Sequence, residues 1–102
     1  MLPKLVRDKI PDLIKKSGEK PIIRVASKAE YNNMILQKLS EELLEFHENP
    51  SVEEAADIYE VFISILNNWD ISFSSVRDFA IEKAESRGGF SQGIILERVE
   101  NE

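Results

Sequence analysis

Two pairs of carboxylates in the middle of the sequence constrain the fold more than any other feature. Glu42 and Glu45 form the first pair, and Glu54 and Asp57 form the second. Within each pair the side chains are three residues apart, so they share one face of a helix. Glu42 and Glu54 also fall inside the apolar arcs of their helices. The fold must therefore accommodate carboxylates on the faces that build its core.

Helix start and stop signals predict a mainly α protein. Asp8 is a candidate cap for a short first helix, and Gly18 is a candidate stop. The β-branched segments 21–26 and 93–99 predict a minor two-stranded β element. The length of 102 residues predicts a single domain over residues 1–102. The predicted helices span about residues 9–17, 27–47, 50–69 and 74–87.

An antiparallel hairpin of the two central helices brings the four carboxylates to one patch. A turn centred on residues 49–50 places Glu45 opposite Glu54. The same geometry places Glu42 opposite Asp57. Burying unpaired carboxylates is costly, so four of them need a counter-charge to remain ionised. A hard divalent cation such as Mg²⁺, which prefers oxygen ligands, meets that need.

The spacing also permits readings without a metal. Acidic residues on helices often form a solvated face. Residues 51–54, Ser-Val-Glu-Glu, fit a capping box that occupies Glu54 at the start of its helix. Lys38 lies four residues before Glu42 and could form an ion pair with it. The residues alone leave the metal site and these alternatives open.

Charge and composition narrow the range of functions. The net charge of −6 combines +5 in residues 1–38, −9 in residues 39–76 and −2 in residues 77–102. This balance argues against nucleic acid as a partner, because nucleic-acid binding needs a basic surface. The chain has no Cys and a single His, His47, which excludes thiolate and His-rich zinc sites.

The sequence predicts a cytoplasmic protein without a membrane partner. No apolar run approaches the roughly 18 residues of a membrane span. The first residues, Met-Leu-Pro-Lys, lack the apolar stretch of a secretory signal.

Four motifs together resemble one known family. The pattern E-E-x-x-E in residues 41–45, followed by E-x-x-D in residues 54–57, is similar to the acidic motif of the all-α nucleoside triphosphate pyrophosphohydrolases. This MazG-like superfamily also includes phosphoribosyl-ATP pyrophosphatases and dimeric dUTPases. K-L-V-R-D-K-I-P in residues 4–11 and K-x-x-x-R-G-G-F-x-x-G-I in residues 83–94 resemble a small house-cleaning subgroup. The spacer between the acidic motifs is shorter than in most of the superfamily, which implies a tight helix–helix turn.

The resemblance implies a helical bundle built on a central antiparallel hairpin, and an enzymatic function. The implied reaction is Mg²⁺-dependent cleavage of a nucleoside triphosphate between its α- and β-phosphates, with Mn²⁺ as a possible substitute. Glu41 and Glu42 would be catalytic, with Glu41 supporting a ligand or orienting the attacking water. The alternatives are a phosphoribosyl-ATP pyrophosphatase and a non-catalytic acidic module that binds a basic partner. The implied metal ligands are Glu42, Glu45, Glu54 and Asp57.

Basic residues on the flanks are candidates for binding the phosphates. Lys83 and Arg87 share one face of the last helix beside small residues, although internal ion pairs would also explain them. Arg7 and Lys9 form a second candidate cluster.

Two further residues are candidate substrate contacts, and one surface predicts self-association. Lys38 and Asn68 could each contact the nucleotide, whereas Trp69 falls in an apolar arc and is predicted to be core. The apolar arc of the second central helix is wider than one neighbouring helix covers, which predicts a homodimer or homotetramer.

Overall fold

The structure, a computed structural model, describes residues 2–101 and contains four α-helices in that range. A first compact unit ends at Asp70, and a second starts at Ile71. The mainly α prediction is confirmed, whereas the single domain over residues 1–102 stays a prediction. The helices are α1 (Ile10–Lys16), α2 (Lys28–Glu48), α3 (Val52–Asn68) and, in the second unit, α4 (Phe73–Arg87).

The first unit is built on an antiparallel hairpin of α2 and α3. Only residues 49–51 connect the two helices, so the chain reverses direction at once. At the open end, the Asn68 side-chain amide donates a 2.7 Å hydrogen bond to Asn32 Oδ1, which joins the end of α3 to the start of α2. Ile35, Val61 and Leu66 are buried between the helices. The predicted central hairpin is therefore present.

Serine side chains begin the long helices. Ser27 Oγ accepts a 3.2 Å hydrogen bond from the Glu30 backbone N–H at the start of α2. Ser51 Oγ accepts a 3.1 Å bond from the Glu54 backbone N–H at the start of α3. These bonds satisfy backbone donors that have no partner inside the helix. The Ser51 cap also fixes the first turn of α3, which carries Glu54.

Helix α1 ends as predicted but begins differently. Gly18, with a φ of +94°, lets the Glu19 backbone N–H reach the Ile14 carbonyl at 3.3 Å and close the helix. The predicted Asp8 cap is wrong. Lys9 occupies the cap position with φ −92° and ψ −3°, and no side chain caps the helix. A side-chain cap needs extended backbone at that position, which this turn does not provide.

The predicted two-stranded β element is not formed. Residues 21–26 and 93–99 both lack regular secondary structure. Their large apolar side chains are exposed, with Val25 at 92% and Ile94 at 79% of full accessibility. A pair of strands is stable only when its side chains pack against another surface, and these side chains do not. Residue preference alone therefore did not produce strands here.

No helix within residues 2–101 combines the length and apolar character that a membrane span requires.

Replacing Ser51 with Ala should lower the free energy of unfolding by about 1 kcal/mol, because the Glu54 N–H loses its acceptor. Urea denaturation measures the change. Ser40→Ala is the matched control, since Ser40 is exposed within α2 and its hydroxyl bonds to no described residue. The control should shift stability by about 0.5 kcal/mol or less. Equal effects in the two variants would contradict the capping role.

Candidate metal centre

Three carboxylates converge where the C-terminal half of α2 faces the first turns of α3. Glu42 comes from α2, and Glu54 and Asp57 come from α3. One oxygen atom from each carboxylate lies within 4.8 Å of the corresponding oxygens of the other two. The short turn and the antiparallel register bring them together, because both helices present these residues to each other. The three side chains could together hold a metal ion.

Glu42 is the least accessible member of this carboxylate cluster. The residue is only 6% exposed, and its Oε2 atom is buried without a hydrogen-bond partner among the described residues. Glu54 Oε2 is buried and unpartnered in the same way. Buried polar atoms nearly always have a partner, because leaving water without one costs free energy. The cluster therefore contains two buried carboxylate oxygens that a cation could coordinate.

The electrostatics of the cluster disfavour its ionised form. Burial, followed by the charge of Glu45, raises the pKa of Glu42, and Lys38 only partly opposes this. Burial also raises the pKa of Glu54, with further contributions from Glu45 and Asp57. Both carboxyl groups therefore hold protons more tightly than they do in water. A bound cation would reverse this by stabilising the carboxylates.

Two side chains of the same unit supply positive charge. Arg7 Nη2 donates a 2.7 Å hydrogen bond to Asp57 Oδ1. Lys38 Nζ lies 3.4 Å from Glu42 Oε1 and 3.6 Å from Glu41 Oε2. The predicted pairing of Lys38 with Glu42 is therefore present, yet it reaches only one of the two Glu42 oxygens. These cations reduce the negative charge of the site without neutralising it.

Other predicted residues of this unit lie at the margin of the cluster. Glu45 is exposed and outside the 4.8 Å group, although its charge acts on both buried carboxyl groups. Glu41 is exposed and contacts Lys38. Lys9 is exposed at the start of α1 and makes no ion pair with a described residue. Their assignment as a ligand, a catalytic residue and a phosphate contact stays a prediction.

The remaining predicted cations lie in the second unit. Lys83 and Arg87 are four residues apart on α4, and both side chains are exposed. Neither forms an ion pair with another described residue of that unit. Both are therefore free of a local partner, and their binding to phosphates stays a prediction.

Asn68 belongs to a separate polar cleft at the open end of the hairpin. Lys28 Nζ donates to the Asn68 backbone carbonyl at 3.2 Å and also to its side-chain oxygen. The helical rise between Asp57 and Asn68 places this cleft about 16 Å from the carboxylates. Sequence reasoning missed the cleft because its lining comes from the start of α2 and the end of α3, where Lys28 and Asn68 are 40 positions apart in the sequence. The cleft has a volume of about 410 Å³ and is lined by Lys28, Tyr31, Ser64, Asn67, Asn68 and Asp70.

Comparison with known proteins leaves the family unassigned. No protein-family model matches the chain. No solved structure matches it either. A protein of Mycolicibacterium smegmatis, described as uncharacterized, is 51% identical to this chain over 41 residues. The match covers 40% of this chain and 42% of that protein.

The stability of the metal-free protein should depend on pH through Glu42. Its folded pKa is raised above the ordinary value of 4.5, so folding opposes its ionisation. The free energy of unfolding should therefore fall as the pH rises from 4.5 through the raised folded pKa, and then level off. Glu42→Gln removes this loss. In chelator-treated protein, the variant should be at least as stable as the wild type at pH 7.

Urea denaturation between pH 4 and pH 8 measures this difference. Glu60→Gln is the control, because Glu60 is exposed on α3 and forms no ion pair with a described residue. Its stability should follow the wild-type pH profile. A Glu42→Gln variant that is less stable than the wild type at pH 7 would show that the Lys38 contact outweighs burial and repulsion.

Proposed function

We propose that the protein is a Mg²⁺-dependent nucleoside triphosphate pyrophosphohydrolase with a MazG-like helical bundle. The observation that carries the proposal is the buried, unpartnered oxygen of Glu42 beside Glu54 and Asp57. Hard oxygen ligands of this kind are suited to Mg²⁺, which commonly keeps waters and binds substrate phosphates. The sequence motifs in residues 4–11, 41–57 and 83–94 resemble those of this enzyme class. The type of reaction is proposed from that resemblance.

Under this proposal the side chains at the cluster have separate roles in metal binding and proton transfer. Glu42, Glu54 and Asp57 would hold the ion. Exposed Glu45, whose charge acts on Glu42 and Glu54, is proposed as the fourth ligand. A bound Mg²⁺ would neutralise phosphate charge and polarise the attacked phosphoryl group. Exposed Glu41 can accept a proton from the attacking water. The products are a nucleoside monophosphate and pyrophosphate.

Positive side chains are needed because the substrate is a polyanion. Arg7 and Lys38 already lie at the cluster, where they offset its negative charge. Lys83 and Arg87 are proposed as phosphate contacts, in keeping with the flanking motif on α4. Arg presents a fork of donors to phosphate oxygens, whereas Lys acts as a single charge.

The burial of Glu42 argues against a simple acidic docking surface. A module that binds a basic partner presents accessible carboxylates, whereas Glu42 is 92% shielded at its side chain by the neighbouring structure. A phosphoribosyl-ATP pyrophosphatase would use the same ion and break the same type of bond. A substrate panel that includes phosphoribosyl-ATP separates the two enzymes.

Pyrophosphate release from a panel of nucleotides, with and without Mg²⁺, tests the function. We expect turnover that requires Mg²⁺ and that falls at least about a hundredfold in Glu42→Gln, because a catalytic metal contributes several kcal/mol. Glu60→Gln should keep wild-type turnover. Calorimetric titration with Mg²⁺ provides a separate measure of metal binding. Absence of both turnover and metal binding would favour the acidic module.

We also propose that the protein is a homodimer or homotetramer. The surfaces of α2 and α3 leave apolar side chains exposed, and Val52 is 88% accessible. Several exposed large apolar side chains on one pair of helices are what a helix-packing interface would bury. The exposed side chains on the hairpin include Leu36, Leu43, Leu44, Val52 and Tyr59.

Light scattering coupled to gel filtration should give a mass of two or four chains. Leu43→Asp should shift the protein towards the monomer, because it places a charge in the apolar surface. Gln37→Asp introduces the same charge at an exposed polar position of α2 and should leave the mass unchanged. A monomeric wild type at high concentration would contradict the proposal.

A further inference from the structure

We infer that Arg7 is an exchangeable counter-cation, which pairs with Asp57 when the carboxylate cluster lacks a metal and with substrate phosphate when the cluster holds one. The inference rests on the proposed function. Arg7 Nη2 lies 2.7 Å from Asp57 Oδ1, and Asp57 is one of the three converging carboxylates. The guanidinium therefore already pairs with a carboxylate that a metal ion would use.

The Arg7–Asp57 ion pair is accessible to water. The Arg7 side chain is 57% exposed and that of Asp57 is 32% exposed. Solvent screens such a pair, so it stabilises the fold only weakly and is easily displaced. Its partners are 50 positions apart in the sequence, and Arg7 belongs to an irregular segment before α1. The side chain can therefore leave Asp57 without disturbing a helix.

Lys38, unlike Arg7, is held in a fixed position beside its carboxylate. It lies four residues from Glu42 on the same helix, and its side chain is only 23% exposed. Its position is therefore fixed by α2 itself. Arg7 has no such constraint, which makes it the mobile member of the two cations.

Metal binding and the Arg7–Asp57 pair oppose each other. A divalent ion and a guanidinium repel each other, and both require the same carboxylate. Once Asp57 turns to the ion, Arg7 has lost its partner while remaining beside the site. The phosphates of a nucleotide then offer it new oxygens, which match its planar fork of donors. The residue should therefore weaken binding of the metal alone and strengthen binding of the metal with nucleotide.

Opposite changes in affinity for the metal and for the nucleotide distinguish an exchangeable Arg7 from one with a purely structural role. Mn²⁺ is titrated alone into the wild type and Arg7→Ala, with the free ion measured by electron paramagnetic resonance. The Kd for Mn²⁺ should decrease about two- to fivefold in the variant, as expected from losing an exposed ion pair. With Mn²⁺ present at saturation, the Kd for a nonhydrolysable nucleoside triphosphate should instead increase about tenfold or more.

Lys4→Ala is the matched control for charge. It removes one positive charge from the same segment, and Lys4 is exposed without an ion pair to a described residue. Its Kd for Mn²⁺ should change less than that of Arg7→Ala. Arg7→Gln repeats the comparison with a longer polar side chain and replaces Arg7→Ala if that variant does not fold, as judged by circular dichroism.

Each outcome bears on a different claim. An unchanged or larger Kd for Mn²⁺ in a folded Arg7 variant would overturn the exchange and leave the metal site standing. An unchanged Kd for the nucleotide would overturn the phosphate half of the inference. If neither the wild type nor any variant binds Mn²⁺, with or without nucleotide, the proposed metal site itself is wrong.

Discussion

The arrangement of the first unit depends on the placement of a carboxylate, Glu42, between two packed helices. The residue is buried at the same α2–α3 interface that holds Ile35 and Val61, and one of its oxygens has no partner among residues 2–101. Such an atom lowers stability, so it is retained only where something else compensates. The raised pKa of Glu42, which follows from burial and from the charge of Glu45, reflects the free-energy cost of ionising this buried carboxyl group.

Two cations of different character partly offset the negative charge of the carboxylate cluster. Lys38 is placed by α2 next to Glu42, whereas Arg7 reaches Asp57 from the segment before α1. Neither contacts the unpartnered oxygens of Glu42 and Glu54. The two oxygens therefore lack a positive partner. Under the proposed function, Mg²⁺ would supply positive charge to the carboxylates, and the substrate phosphate would accept hydrogen bonds from Arg7.

Some features were predictable because they depend on residues close in sequence. The helix bounds follow from side-chain periodicity, from serine caps such as Ser27 and Ser51, and from Gly18 as a stop. The shared face of Glu54 and Asp57 follows from helical geometry alone. Even the apposition of Glu42 with α3 could be anticipated, because a short turn leaves two helices little freedom of register.

The tertiary structure decided what depends on distant neighbours. Residues 21–26 have the composition of a strand but lack a surface to pack against, and Trp69, predicted to be core, is 41% exposed at the end of α3. Glu45 and Glu54 have the same residue type in facing positions, yet only Glu54 is partly buried. The bond from Arg7 to Asp57 crosses 50 positions. The sequence by itself thus determined the helices and the faces of their carboxylates, because those follow from local hydrogen bonding and periodicity. Which carboxylates are buried, and which cation meets them, was decided by packing between segments far apart in the chain.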